Sequence, residues 1–305
     1  MKNELTTVVM TGGTSGFGKI TTERLLNNNV KLLLGARKNV YFKGVSSIPL
    51  DLEDLNTIQA FIYTIIKEIG KTKIDALVLN AGVSYANAEN RSKEGWETTF
   101  AVNHLAHYLI VRSLSAYIND TGVVVFTTSG THNPTEKTII PPPKHANAQL
   151  LAYPDKDPKK FENPKKAGGH AYSSSKLCNI LTARALIANN DNHFQVIAYD
   201  PGPVPGTGLS RNNSFLVNTI WKTLSIPFFR QLIPKFNSKQ MAGDTLAEIA
   251  LGNIKPPKGK FYTALCKSKI TFPEPSELAL NDKVMIKLWN DSAALLGLPT
   301  EKIKS

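Results

Sequence analysis

The stretch TTVVMTGGTSGFGKITTERLLNN, residues 6–28, decides how this chain folds. Thr6–Thr11 is an unbroken run rich in β-branched and apolar residues, which reads as a strand buried on both faces. Gly12 ends it, and Gly18–Asn28 resumes as a helix. A strand that turns through glycines into a helix leaves backbone N–H groups uncovered at the helix start, where an anion is favoured. A tight turn alone also needs glycine, so the weight lies in the strand before it and the helix after it. In that setting Gly12, Thr14, Ser15, Gly16, Phe17 and Gly18 are candidate contacts to the phosphates of a dinucleotide.

Outward from this turn, short β-rich runs alternate with amphipathic stretches. Val30–Leu34 reads as a strand, and Ile58–Ile69, with Ile58, Phe61, Ile62, Ile65, Ile66 and Ile69 at helical spacing, reads as a helix. Strands follow at Ala76–Leu79, Val123–Phe126 and Gln195–Tyr199. Helices are expected at Trp96–Tyr117, through Tyr172–Ile187, and near Met241–Leu251 and Leu278–Leu296. The alternation predicts an α/β fold, a doubly wound parallel sheet with helices on both faces, as one domain over 1–305. Two stretches break the rhythm. Between Arg37 and Asp51, which must include a strand around Val45–Pro49, there is no room for a full crossover helix. Gly130–Gly169 is rich in proline, lysine and asparagine and reads as a long loop insert.

The net charge of +12, from 36 Lys and Arg against 24 Asp and Glu, favours anionic ligands such as phosphorylated cofactors or acidic lipid surfaces. No nucleic-acid motif accompanies it, and the lysines are scattered or lie in loops, so nucleic acid is not an expected partner. Two cysteines, Cys178 and Cys266, make no disulfide framework, and the polar Met1–Thr7 is not a secretion signal. A cytoplasmic location is the expectation.

With TGGTSGFG in place, the chain resembles the short-chain dehydrogenase/reductase family, and six further motifs follow in that family's order over nearly the whole length. Asp51 and Leu52 are similar to the adenine-contacting pair, and Asn80, Ala81 and Gly82 match the NAG motif. Asn103 in VNHLAHYL matches the helix asparagine, and Ser129 ends GVVVFTTS, seven residues beyond Gly122. Tyr172 and Lys176 in YSSSK match YxxxK, and Pro201 and Gly202 match the turn beside the nicotinamide, with Val204 following. The resemblance implies a Rossmann-type sheet and a catalytic set of Asn103, Ser129, Tyr172 and Lys176. In that set Ser129 bonds the substrate oxygen, Asn103 ties the lysine to a water-linked proton path, and Tyr172 and Lys176 also touch the cofactor. Among the family's branches, AYSSSKLCNILTARAL, PGPVPGTGL and IPFFRQLIPKF are similar to retinol-dehydrogenase-like and light-dependent protochlorophyllide-reductase-like members.

The chemistry of the set stands on its own terms. A tyrosine donates a proton near neutral pH only if a cation stabilises its phenolate, and Lys176, four residues on, shares a helix face with Tyr172. Arg37 ends the second strand where an NAD enzyme commonly places an acid against the ribose 2′-hydroxyl. A guanidinium there suits a 2′-phosphate, so NADP(H) is the expected cofactor. His104 and His107, three apart on a helix, have no third ligand nearby and read as packing residues; no metal is expected. Cys178 reads as a small buried residue.

The expected activity is hydride transfer between NADP(H) and a small hydrophobic carbonyl or alcohol. The alternatives are reduction of a tetrapyrrole double bond and a non-catalytic NADP-binding protein. Ser129 and Tyr172 lie 43 residues apart. The insert between them is expected to form an ordered flap over the substrate cleft, favouring a monomer. Residues 203–240 read as a substrate lid, with Phe215–Phe236 also suited to peripheral membrane contact. Thr207 stands one residue beyond the family's threonine position.

Overall fold

The computed structural model describes residues 6–42, 45–189, 194–206, 236–301 and 303. Among the described residues ten strands form: β1 Thr7–Thr11, β2 Lys31–Ala36, β3 Tyr41–Phe42, β4 Val45–Ser46, β5 Ile48–Pro49, β6 Ile74–Leu79, β7 Ile118–Thr127, β8 Gln195–Asp200, β9 Tyr262–Cys266 and β10 Lys269–Thr271. Eight of them make one sheet in the order β5-β2-β1-β6-β7-β8-β9-β10. Every neighbouring pair is parallel except β9 with β10. The order reverses between β1 and β6, and a crevice opens there beyond the carboxyl ends of the strands.

Period-two alternation divides the core. Val9, Leu77, Leu79, Val124 and Phe126 face one side, with α2 (Leu55–Ile69) and the long α6 (Pro164–Ala188). Val8, Met10, Val78, Val125 and Tyr199 face the other, with α1 (Gly16–Asn27) and α7 (Lys239–Ala250). The crossover from β2 to β5 holds no helix but a small antiparallel ladder, β3 with β4. The β9–β10 hairpin extends the sheet beyond the strands read from the sequence.

The helix expected over Trp96–Tyr117 is broken. It starts at Thr98 because the Glu97 carboxylate accepts the N–H groups of Thr99 and Phe100 at 2.9 and 2.7 Å, giving α3 (Thr98–Phe100). A π turn, Ala101–Leu105, precedes α4 (Ala106–Leu114), and a 3₁₀ turn, Ser115–Tyr117, ends the segment.

The insert is shorter and more ordered than a loop over Gly130–Gly169. Asn163 caps α6 by accepting the Lys166 N–H, and Pro164 sits in its first turn, so the helix begins eight residues before Tyr172. Gly168 and Gly169 do not break it. A Cβ at Gly168 would lie 2.4 Å from the Tyr85 carbonyl oxygen and one at Gly169 2.9 Å from Pro141 Cδ, so both glycines permit close approach. The insert also carries 3₁₀ turns and α5 (Ala148–Ala152). Its Ala148, Leu151 and Ala152 join the core with α8 (Asp282–Leu295), whereas Ile139 is 94% exposed. Of the apolar side chains expected to order the flap, Leu151 is buried, Ile140, Leu150, Tyr153 and Phe161 are half-buried, and Ile139 is exposed.

Candidate active site

The phosphate-binding turn is built by sterics. Gly12 has φ +69°, and a Cβ on it would meet the Ala81 backbone at 2.5 Å; one on Gly18 would lie 2.1 Å from the Gly12 carbonyl oxygen. Thr14 and Ser15 are exposed, Gly16 and Phe17 half-buried, and the first turn of α1 carries no acidic residue. This glycine-lined helix start suits a diphosphate. Asn80 locks the turn in place: its Nδ2 donates to the Gly12 carbonyl at 2.9 Å and its Oδ1 accepts from Thr127 Oγ1 at 3.0 Å. The Asn80 and Ala81 N–H groups both donate to Thr11 Oγ1 at 3.1 Å. Gly82 is half-buried beside them.

Arg37, at the end of β2, is 62% exposed, and its guanidinium lies 4.0 Å from the Glu53 carboxylate. The Tyr85 hydroxyl donates to the same Glu53 oxygen at 3.4 Å. Asp51 accepts the Glu53 N–H at 3.1 Å and stays half-exposed, while the Leu52 side chain packs in the core. Pro201 and Gly202 leave β8 with Gly202 at φ +64°, and Val204 is buried. Asn237 donates to the carbonyls of Pro201 and Leu265 and so packs beside this turn. Thr207 and most of the expected lid, residues 207–235, lie outside the described residues.

Ser129, Tyr172 and Lys176 converge at the end of β7. Tyr172 is 6% exposed. Burial raises its phenol well above the ordinary range, the neighbouring Ser129 hydroxyl opposes this, and the charge of Asp200 adds to it. Lys176 Nζ donates to the Thr127 carbonyl at 2.9 Å; burial lowers its pKa to about 8, against the opposing pull of Asp200. The neighbouring hydroxyls are otherwise engaged, Thr127 on Asn80 and Thr128 on the Lys176 carbonyl at 2.9 Å.

Asn103 sits within the π turn, and its side chain explains that turn. Oδ1 accepts the Val83 N–H at 2.8 Å, and Nδ2 donates to the Val83 carbonyl and to Ser175 Oγ, both at 3.0 Å. These bonds draw the helix toward the segment after β6 and toward α6. The Asn103 side chain thereby holds the site's walls together, while its carbonyl accepts from His107 Nδ1 at 3.1 Å. That fixes the tautomer: His107 Nε2 accepts from the Thr11 hydroxyl at 3.0 Å, so the imidazole bridges the glycine turn and the π turn. His104 is buried between the rings of Phe100 and Tyr108 and bonds Ser292 Oγ at 2.9 Å. Among the described residues no group of three or more His, Cys, Asp or Glu is placed to hold a metal ion.

Three residues of the site were not singled out in the sequence. His132 Nδ1 donates to the Ser129 carbonyl at 2.7 Å and its Nε2 accepts the Ser276 N–H at 3.1 Å. Asp200, at the end of β8, is buried and bonded to Tyr262, and Glu53 faces Arg37. Each depends on a partner distant in sequence; only the acidic residue ahead of Pro201 and Gly202 was a visible signal for Asp200.

A family model described as short chain dehydrogenase matches residues 6–139. Retinol dehydrogenase 12 of Mus musculus is 28% identical over 96% of this chain and 87% of its own. The chloroplastic protochlorophyllide reductase of Marchantia paleacea is 24% identical over 96% of this chain and 68% of its own. Among solved structures, a protein from Mycobacterium Paratuberculosis superposes with a TM-score of 0.65 at 21% identity, covering 97% of this chain and 95% of that one. The 3-ketoacyl-(acyl-carrier-protein) reductase from Brucella melitensis, complexed with NADH, superposes with a TM-score of 0.55 at 18% identity, covering 80% and 90%. Sheet, glycine turn and Tyr–Lys helix define a nucleotide-binding oxidoreductase. The chain is similar along nearly its whole length to members of the short-chain dehydrogenase/reductase family, retinol dehydrogenases and protochlorophyllide reductases among them.

Proposed function

We propose that the protein is an NADP(H)-dependent oxidoreductase of hydrophobic carbonyls or alcohols. The observation that carries the reading is the buried Tyr172 phenol, set beside Ser129 and the buried Lys176 at the carboxyl end of the sheet. The turn over Gly12–Gly18 would hold the cofactor's diphosphate, Arg37 its 2′-phosphate, and Asp51 with the Asn80–Gly82 backbone its adenosine half. Lys176 and the turn of Pro201, Gly202 and Val204 would hold the nicotinamide half, which supplies or accepts hydride when bound.

The chain's own part is proton transfer. Ser129 donates a hydrogen bond to the substrate oxygen, and Tyr172 donates the proton that oxygen takes up on reduction. The positive charge of Lys176 stabilises the phenolate left behind. The retinol dehydrogenase relatives support an apolar substrate, and Arg37 supports NADP(H) over NAD(H). Among the described residues no helix is long and apolar enough to cross a membrane; we place the protein in the cytoplasm, with contact at a membrane surface compatible with its basic charge.

The protochlorophyllide reductase relative supports a second reading, light-driven reduction of a tetrapyrrole double bond. Following NADPH oxidation against apolar aldehydes and ketones in darkness, and against a porphyrin-type substrate in light, separates the two. Turnover in darkness is the expected result. Activity only in light, or none with any carbonyl, would overturn it.

A further inference from the structure

The final residue of β8 is an aspartate, and its carboxylate is buried at the floor of the site. A buried carboxylate is tolerated where donors surround it. Asp200 Oδ1 accepts the Gly202 N–H at 2.8 Å and Oδ2 accepts from the Tyr262 hydroxyl at 3.0 Å, with Gly130 packed close by. A Cβ at Gly130 would lie 3.1 Å from Oδ2, a closeness that glycine eases. These partners belong to three different elements. Gly130 follows Ser129, Gly202 belongs to the turn on the nicotinamide side, and Tyr262 lies on β9 with its ring 5.4 Å from that of His132. His132 in turn holds the Ser129 carbonyl, and Gly130, the next residue, lies against Asp200 Oδ2, so Ser129 is held from both of its sides.

We propose that Asp200 is a positioning residue for the reaction: it fixes Ser129 and the Pro201–Gly202 turn relative to each other and is the counter-charge for Lys176. The charged and titratable groups that face Asp200 are Tyr172 and Lys176 from α6, Tyr199 on β8, Tyr262 on β9 and Glu136 from the insert. Lys176 is the only cation among these. The assignment rests on the carbonyl-reductase reading for its catalytic part, whereas the counter-charge is independent of turnover.

The test uses the full chain with Asp200→Asn, which keeps the size and removes the charge, and Tyr262→Phe, which removes one partner. Carbonyl reduction in darkness gives kcat and KM, and NADPH fluorescence gives its Kd across pH 6 to 10. Asp200→Asn is expected to lower kcat about tenfold to a hundredfold with KM within about threefold. Its NADPH binding should weaken with rising pH about one unit earlier than wild type, because Lys176 loses its proton sooner. Lys176→Ala should abolish that pH dependence. Tyr262→Phe should lower kcat by less and leave the pH dependence of NADPH binding in place. Wild-type kcat together with an unmoved binding profile in Asp200→Asn would overturn the proposal. A wild-type protein that binds NADPH but reduces no carbonyl would sink the functional reading alone, and the binding profile would still decide the role of Asp200. Should Asp200→Asn fail to fold, Tyr262→Phe decides, and an unchanged kcat there counts against the assignment.

Discussion

Lys176 Nζ lies 5.7 Å from the centre of the Tyr172 ring while its proton is directed to the Thr127 carbonyl. The ammonium therefore acts on the phenol through space, with the Ser129 hydroxyl beside it. Removing the phenol hydroxyl should abolish proton transfer and leave the site's packing intact. Tyr172→Phe is expected to lower kcat by about 10² to 10⁴, the range of a positioned acid, with the NADPH Kd nearly unchanged. Lys176→Ala should harm both turnover and binding. Wild-type carbonyl reduction by Tyr172→Phe would assign the acid elsewhere.

Arg37 is exposed and only loosely paired with Glu53, so a 2′-phosphate competes for it at little cost. Arg37→Ala should weaken NADPH by about 1.5 to 3 kcal/mol, the scale of hydrogen bonds to charged groups, and leave NADH little changed. Titration of both cofactors against both proteins measures this. Equal losses would show that Arg37 does not read the 2′-phosphate.

What could be read from the sequence was local. The strand–glycine–helix start and the Tyr172–Lys176 pair depend on residues within one turn or one spacing, and the structure brings them together as expected. The π turn depends on Asn103 meeting Val83 and Ser175, and the grip on Ser129 depends on His132 meeting Ser276, pairs 20, 72 and 144 residues apart. The start of α6 was hidden because Gly168 and Gly169, which permit close packing, look like helix breakers. The β9–β10 hairpin was missed because Tyr262–Cys266 is short and gains its meaning only beside β8.

The insert separates packing from exposure within a few residues. Leu151 is buried in the core cluster and Ile139 is 94% exposed. Leu151→Ala should cost about 2 to 4 kcal/mol of stability, whereas Ile139→Ser should stay within about 0.5 kcal/mol. Urea unfolding of the two variants checks this. If Ile139→Ser raises KM for bulky apolar substrates without changing stability, the exposed tip contributes to substrate binding; if KM is unchanged, the flap expectation fails at that residue.

Four histidines, His104, His107, His132 and His170, are buried, and burial is the largest influence on each. Their pKa values fall to about 3 for the first two and about 4 for the others. In the unfolded chain each titrates near 6.5, so below that pH the unfolded state binds protons that the folded state refuses. The stability they permit is therefore complete above about pH 6.5 and is lost as pH falls toward their folded values. Each contributes about 1.4 kcal/mol per pH unit within that window. Glu97 and Asp200 act in the opposite sense, since burial raises their carboxyls and the folded state takes up protons there. Between about pH 6.5 and 5, where most carboxylates remain charged in both states, the histidines should dominate and stability should fall with acid. His104→Asn should flatten the slope by roughly one quarter of the histidine contribution. Urea unfolding at half-unit pH intervals measures the slope, and a stability that holds constant from pH 6.5 to 5 would mean these imidazoles accept protons inside the folded protein.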